Sequence, residues 1–218
     1  MLKLLFLLWM VLAPAISWAA IAHDGSSGGI ATSAASVTYA HTVTSNTDGA
    51  LYVCVMGQQT GGPGAVSSVT YNGTALTRIQ TQVCNESASH CKELWRLKAP
   101  ATGSNNVVIT FPGSISQEVG ASTSYTGVDQ TTPEGTPATA SDDTGTSNGP
   151  ITVNVSSAAG EVVIDCASPH FALSAPTVGA GQTVRGFKDD TGTTGTYVGM
   201  SDEAGAGLRS ARTWGART

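Results

Sequence analysis

Ser68-Val-Thr-Tyr-Asn-Gly-Thr-Ala-Leu-Thr77 reads as two short strands joined by Asn72-Gly73. Asn-Gly between strand-forming residues is a strong hairpin signal, because both central positions of a type I′ turn need positive φ. The pattern repeats outward in both directions. Leu51–Met56 (Leu-Tyr-Val-Cys-Val-Met) is continuously apolar and predicts a central strand. Asn105–Phe111 alternates, with Val107, Ile109 and Phe111 on one face and Val108 and Thr110 on the other. Val37–Val43, Thr77–Val83, Lys92–Leu97 and Gln117–Val128 add further strands. Ile151–Val155, Glu161–Cys166, Thr183–Phe187 and Thr196–Met200 complete the set. In Lys92–Leu97, Glu93, Trp95 and Leu97 share one face, and Leu94 and Arg96 the other.

About ten strands at this spacing, without a helical pattern to connect parallel neighbours, predict an all-β, antiparallel two-sheet β-sandwich. Gly, Ser and Thr together exceed a third of the chain, and only 11% of residues are charged. The formal charge of −5 leaves no electrostatic footprint for nucleic acid or anionic lipid.

Residues 1–19 carry one charge, Lys3, then an apolar run from Leu4 to Ala13, Pro14, and small residues at Ser17 and Ala19. That order predicts a signal peptide cleaved after Ala19, and so a secreted, extracellular, cell-surface or periplasmic protein with no membrane span after cleavage. Residues 20–35 read as a flexible leader or an edge strand with a loop. Residues 36–207 read as the β-sandwich domain. Residues 208–218 hold Arg209, Arg212 and Arg217 but no apolar alternation. They read as a basic tail or a truncated or frame-shifted end, with the closing strand missing and the sheet edge after Met200 open.

Four cysteines in an exported chain predict disulfides. Cys84 and Cys91 are close in sequence and pair, leaving Cys54 with Cys166. The long bridge carries a tension. Cys54 shares a strand face with Tyr52 and Met56, while Leu51, Val53 and Val55 lie opposite. A zinc site using His90 is the rival, without a second Cys or His pair at zinc-finger spacing.

Several segments, taken together, resemble a known module. They are Val37-Thr-Tyr-Ala-His-Thr-Val43, Ser68–Thr77, Glu93-Leu-Trp-Arg-Leu97 and Pro100-Ala-Thr-Gly103, followed by Ser124-Tyr-Thr-Gly-Val-Asp-Gln-Thr-Thr-Pro133 and Glu203-Ala-Gly-Ala-Gly207. They are similar, over about residues 36–207, to an Ig-like or jelly-roll-like β-sandwich module of bacterial secreted, surface and phage-associated proteins. The resemblance implies a fold. It carries over no catalytic residue.

The search for chemistry is mostly negative. Glu161 and Asp165 share a strand face, but four residues at about 3.3 Å rise separate them by roughly 13 Å, beyond the carboxyl spacing of glycosidases. Glu93, Glu118, Glu134 and Glu161 are the carboxylates open to cross-strand pairing. Four His (23, 41, 90 and 170) accompany many Ser, without a Gly-x-Ser-x-Gly elbow. His41 lies in a strand and reads as a packed or surface residue; His170 lies in a loop. Asp142-Asp143 and Asp189-Asp190 each open an Asp-Asp-Thr-Gly-Thr run, the calcium candidates of the sequence, against ordinary Asp/Gly turns. Tyr71, Tyr125, Phe171 and Tyr197 are candidate sugar-binding aromatics.

The main expectation is a secreted, non-catalytic module with a structural, surface-attachment or assembly role. It implies a surface or extracellular partner, or self-association through an open strand edge. The alternatives are a carbohydrate-binding module, with a glycan as partner, and a hydrolase whose site is assembled from loops.

Overall fold

A computed structural model describes residues 19–58, 64–84, 90–141, 151–168, 177–189, 197–206 and 210–215; at 81–83, 189, 197 and 210–215 it describes backbone only. The described chain is all-β. In order the strands are β1 (Ala22–Val43), β2 (Ala50–Gln58), β3 (Ser68–Tyr71), β4 (Thr74–Ala75), β5 (Thr77–Cys84), β6 (His90–Lys98) and β7 (Gly103–Thr126). They continue with β8 (Ile151–Val155), β9 (Val162–Ala167), β10 (Thr177–Val178), β11 (Thr183–Asp189), β12 (Tyr197–Ala204) and β13 (Ser210–Gly215). Each ladder that joins them is antiparallel.

A seven-stranded sheet runs β4-β3-β7-β2-β6-β5, with β1 on the other side of β7. β7 organises it. Residues 107–110 pair with β3, residues 117–125 pair with β2, and β1 follows both parts. The sequence suggests separate strands, Asn105–Phe111 and Gln117–Val128, broken at Pro112-Gly113. The chain instead keeps one ladder and absorbs the break as a bulge. Ala34 faces Ile115 and Ser36 faces Thr110, so Ala35 alone opposes residues 111–114. Such bulges bend a strand and increase its twist.

The two parts of the sheet close on each other. Val37, Tyr39, Val69, Tyr71, Val107 and Ile109 from one part pack with Leu51, Val53, Val55 and Trp95 from the other. The approach is close enough to demand glycine. A Cβ on Gly29 would sit 2.6 Å from Cδ1 of Tyr39 and 2.9 Å from its Cβ, an anchored part of that side chain. Gly29→Ala should therefore cost about 1–3 kcal/mol, the usual range for overpacking. Urea unfolding with an unchanged slope checks it; an unchanged midpoint would show that the two parts are not in contact there.

A three-stranded sheet, β11-β12-β9, covers the outer face of β2 and β7. Tyr52, Cys54, Met56, Val119, Ala121 and Tyr125 pack there with Val198 and Met200 of β12, and with the partly buried Val162, Ile164 and Cys166 of β9. β2 is thus buried on both faces, which its continuous apolar run requires. This removes the tension over Cys54. Its face is an interior face, and it bonds Cys166 with a Cα–Cα distance of 5.4 Å. Cys84 and Cys91 are cross-strand neighbours in β5 and β6 and form the second bridge. With all four thiols in disulfides, the zinc reading with His90 has no thiolate ligand left.

Two boundaries change. The 20–35 stretch takes its strand reading rather than the flexible one: Ala22–Ala34 of β1 pairs with residues 115–126 of β7. Its Gly and Ser side chains leave apolar alternation weak, while its backbone still completes a ladder. The expected tail, 208–218, contributes β13, which pairs with β8 on one side and β10 on the other. Nor is the edge after Met200 open, because β12 lies between β9 and β11. Asn72 and Gly73 have φ of 48° and 74° and join β3 to β4, as the Asn-Gly signal requires.

Candidate functional site

The densest polar cluster lies on the inner face of β1, where its two halves meet. His41 reaches from the C-terminal half of β1 to the serines opposite. Its Nδ1 lies 2.7 Å from Ser27 Oγ and 2.9 Å from Ser122 Oγ, and its Nε2 lies 3.1 Å from Ser124 Oγ. Ser124 donates onward to Asp24 at 2.8 Å. Asp24 also accepts from the backbone N–H and hydroxyl of Thr44, which ties the two ends of β1 together. His41 is 1% exposed. Burial pushes its pKa down to about 4, only partly offset by the Asp24 charge. Burial alone would push the Asp24 carboxyl up, but the hydrogen bonds from Thr44 and Ser124 outweigh it and leave it below the ordinary value.

This Ser–His–Ser–Asp chain has the residue types of nucleophilic catalysis but not the arrangement. The imidazole is enclosed, both of its nitrogens are taken by hydroxyls, and the carboxylate reaches it only through Ser124. It is a hydrogen-bonded strut between the halves of the folded sheet. A single sequence hides it, because Ser27, His41 and Ser124 converge only through the bend of β1 and β7.

The carboxylates are dispersed. Glu93, 1% exposed, accepts from the Val66 N–H and the Trp95 Nε1–H, each at 3.1 Å, and lies 3.5 Å from Arg78. Glu118 is buried and accepts from the Ala34 N–H at 3.2 Å; burial raises its pKa. Glu134 pairs with Arg96 at 2.6 Å. Glu161 caps the turn before β9 by accepting from the Ala158 N–H at 2.6 Å. Asp165 accepts from the Ser201 N–H and hydroxyl, each at 2.8 Å, and from Gln182. Each of these five is engaged in internal hydrogen bonds or an ion pair.

Two of the expected aromatics are buried rather than presented. Tyr71 donates to the carbonyl oxygens of His41 and Gly103, and Tyr125 donates to Asp202 at 2.9 Å. Phe171 and His170 lie outside the described residues, as do Asp142, Asp143 and Asp190; so do the side chains of Asp189 and Tyr197. Among the described residues no group of three or more His, Cys, Asp and Glu is placed to hold a metal ion.

Among the described residues, cavities open on the outer side. One of about 570 Å³ lies between β2, the 127–137 segment and the start of β9. Its walls include Ile21, Tyr52, Ile79, Leu94, Val162 and Ile164. A smaller one of about 170 Å³ lies between β6, β8 and β9. Neither is lined by His41 or its serines. No helix among the described residues is long and apolar enough to cross a membrane. No family model, curated protein or solved structure matches this chain significantly.

Proposed function

We propose that the chain is a secreted, non-catalytic β-module, an Ig-like or jelly-roll-like sandwich variant, that works in attachment or assembly outside the cytoplasm. Two disulfides fit an oxidising compartment. Glu93, Glu118, Glu134, Glu161, Asp165 and the buried His41 are engaged in internal hydrogen bonds, which speaks against the hydrolase alternative. The burial of Tyr71 and Tyr125 speaks against a sugar-binding platform built on them.

The observation that carries the reading is the outer side of β1, which among the described residues pairs with β7 alone. Asn72 N–H donates to Asn106 O, so the even-numbered residues of β7 over 106–110 turn their backbone groups towards β3, and the odd ones towards β1. Val37 and Tyr39, opposite Ile109 and Val107, therefore bond β7. The exposed Thr38 and Ala40 turn their N–H and C=O groups away from the sheet. Such an edge is a template for an added strand from a second chain.

The test is sedimentation of the 20–218 protein and its Ala40→Pro variant. Proline there deletes an outward donor and spares the β7 ladder. The expected result is self-association weakened at least tenfold by the substitution. A strictly monomeric protein that also captures no extracellular surface or glycan would overturn the reading. So would steady hydrolytic turnover on ester, peptide or polysaccharide substrates that a single Ser, His, Asp or Glu substitution abolishes.

A further inference from the structure

A second Ser–His pair lies on the opposite face of β1, and it is exposed. Register there runs His23 to Tyr125 and Gly25 to Ser124, so Asp24 is an extra residue in the ladder. In a regular strand, residues three apart point to opposite faces. The bulge at Asp24 brings His23 and Ser26 to the same side, with His23 Nε2 2.8 Å from Ser26 Oγ. Bulges re-aim side chains in this way.

The surroundings favour reaction at this serine. His23 Nε2 and Ser26 Oγ are within hydrogen-bond distance, and in the tautomer protonated at Nδ1 the Nε2 lone pair faces the Ser26 hydroxyl. The ring meets Tyr125 edge-on at 5.7 Å. Tyr125 is fixed in turn by its bond to Asp202, which Arg185 holds at 2.7 Å. Burial and the Arg185 charge lower the His23 pKa, against the opposing pull of Asp202 and Asp24, which favours the neutral ring. Ser26 is exposed, and its hydroxyl also donates to Thr123 Oγ1 at the longer distance of 3.4 Å. The inner pair, Ser27 and His41, is shorter at 2.7 Å but enclosed, and Ser122 shares the same nitrogen.

We propose that Ser26 is a nucleophilic serine, with His23 as its general base, that accepts an acyl group from an activated ester. Ser26 Oγ forms a bond to the ester carbonyl carbon as its proton passes to His23 Nε2. The tetrahedral intermediate collapses, the C–O bond to the leaving alcohol breaks, and His23 returns the proton to the departing oxygen. The products are O-acyl-Ser26 and a free alcohol, without any change of oxidation state. The attachment reading stands without this step. Together they describe an attachment module that also takes up one covalent group.

The experiment exposes the purified 20–218 protein to a fluorophosphonate probe, and in parallel to p-nitrophenyl acetate. In the first, Ser26 Oγ bonds phosphorus as fluoride leaves. The expected result is one adduct, mapped by mass spectrometry to Ser26, and a burst of about one equivalent of p-nitrophenolate. Ser26→Ala should abolish both. His23→Gln should slow labelling about 100-fold, the lower end of general-base assistance, with circular dichroism unchanged. If either variant fails to fold, the wild-type rate decides: labelling no faster than that of a serine-containing peptide overturns the proposal. An adduct at Ser27 in place of Ser26, or equal rates with and without His23, also overturns it. Sustained turnover at Ser26 would keep the nucleophile and refute the non-catalytic reading. Self-association unaffected by Ser26→Ala would leave the edge hypothesis intact.

Discussion

Replacing Cys54 and Cys166 together with alanine is expected to cost about 5 kcal/mol of stability. The bridge closes a loop with a sequence separation of 112 residues. Chain-entropy arguments assign about 4.7 kcal/mol to a 100-residue loop and about 2.5 kcal/mol to one as short as Cys84–Cys91. The location sharpens the expectation. Cys54 is fully buried in β2, and Cys166 lies in β9, so the bond fastens the three-stranded sheet to the middle of the seven-stranded one. Without it, amides of β9, β11 and β12 should exchange earlier than those of β2 and β7. Non-reducing peptide mapping first establishes the pairing, and guanidinium unfolding then gives the difference. A loss below about 1 kcal/mol, or a change spread evenly over both sheets, would show that the bridge does not hold them together.

Acid should weaken the fold through His41. Its pKa is about 4 in the folded state against 6.5 for the free side chain, so the unfolded chain binds the proton more tightly. The stabilisation is therefore complete above pH 6.5, shrinks as pH falls, and is gone once the pH passes below about 4. The difference amounts to about 3 kcal/mol at 1.36 kcal/mol per pH unit. Physically, an imidazolium at this buried position would carry its charge without the water that solvates it in the unfolded chain. His23, also lowered, acts in the same direction. Asp24, held below the ordinary value, adds a further loss at still lower pH. Glu118, raised by burial, opposes them, because protonation relieves its buried charge. The clean readout is the difference between wild type and His41→Gln, an amide that keeps hydrogen-bonding capacity but does not titrate. The separation between urea midpoints at pH 7.5 and pH 4 should be larger in the wild type than in the variant, by the His41 contribution. Parallel profiles would remove His41 as the acid-sensitive group.

Local features of the chain were enough for the strand class and several joints. Asn72-Gly73 specifies its turn because few other residues accept positive φ twice in succession. Val107, Ile109 and Phe111 report an inward face because strand periodicity is two. Cys84 and Cys91 meet because the hairpin that carries them is local. The long-range decisions were different in kind. Whether the Cys54 face is inside depends on β9 and β12 covering it, more than a hundred residues away in the chain. Residues 22–34 carry too little apolar alternation to declare a strand, and they pair because β7 presents a complementary backbone ladder. β13 is likewise placed by β8 and β10 rather than by its own composition. Both Ser–His pairs are products of backbone geometry, one from the bend that folds β1 over itself and one from a single inserted residue, Asp24. Sequence by itself determined the turns, the strand periodicity and the local bridge, since each depends on a few adjacent residues. Tertiary structure alone decided burial on the second face, edge pairing and the polar clusters, since those depend on which distant backbone comes to lie alongside.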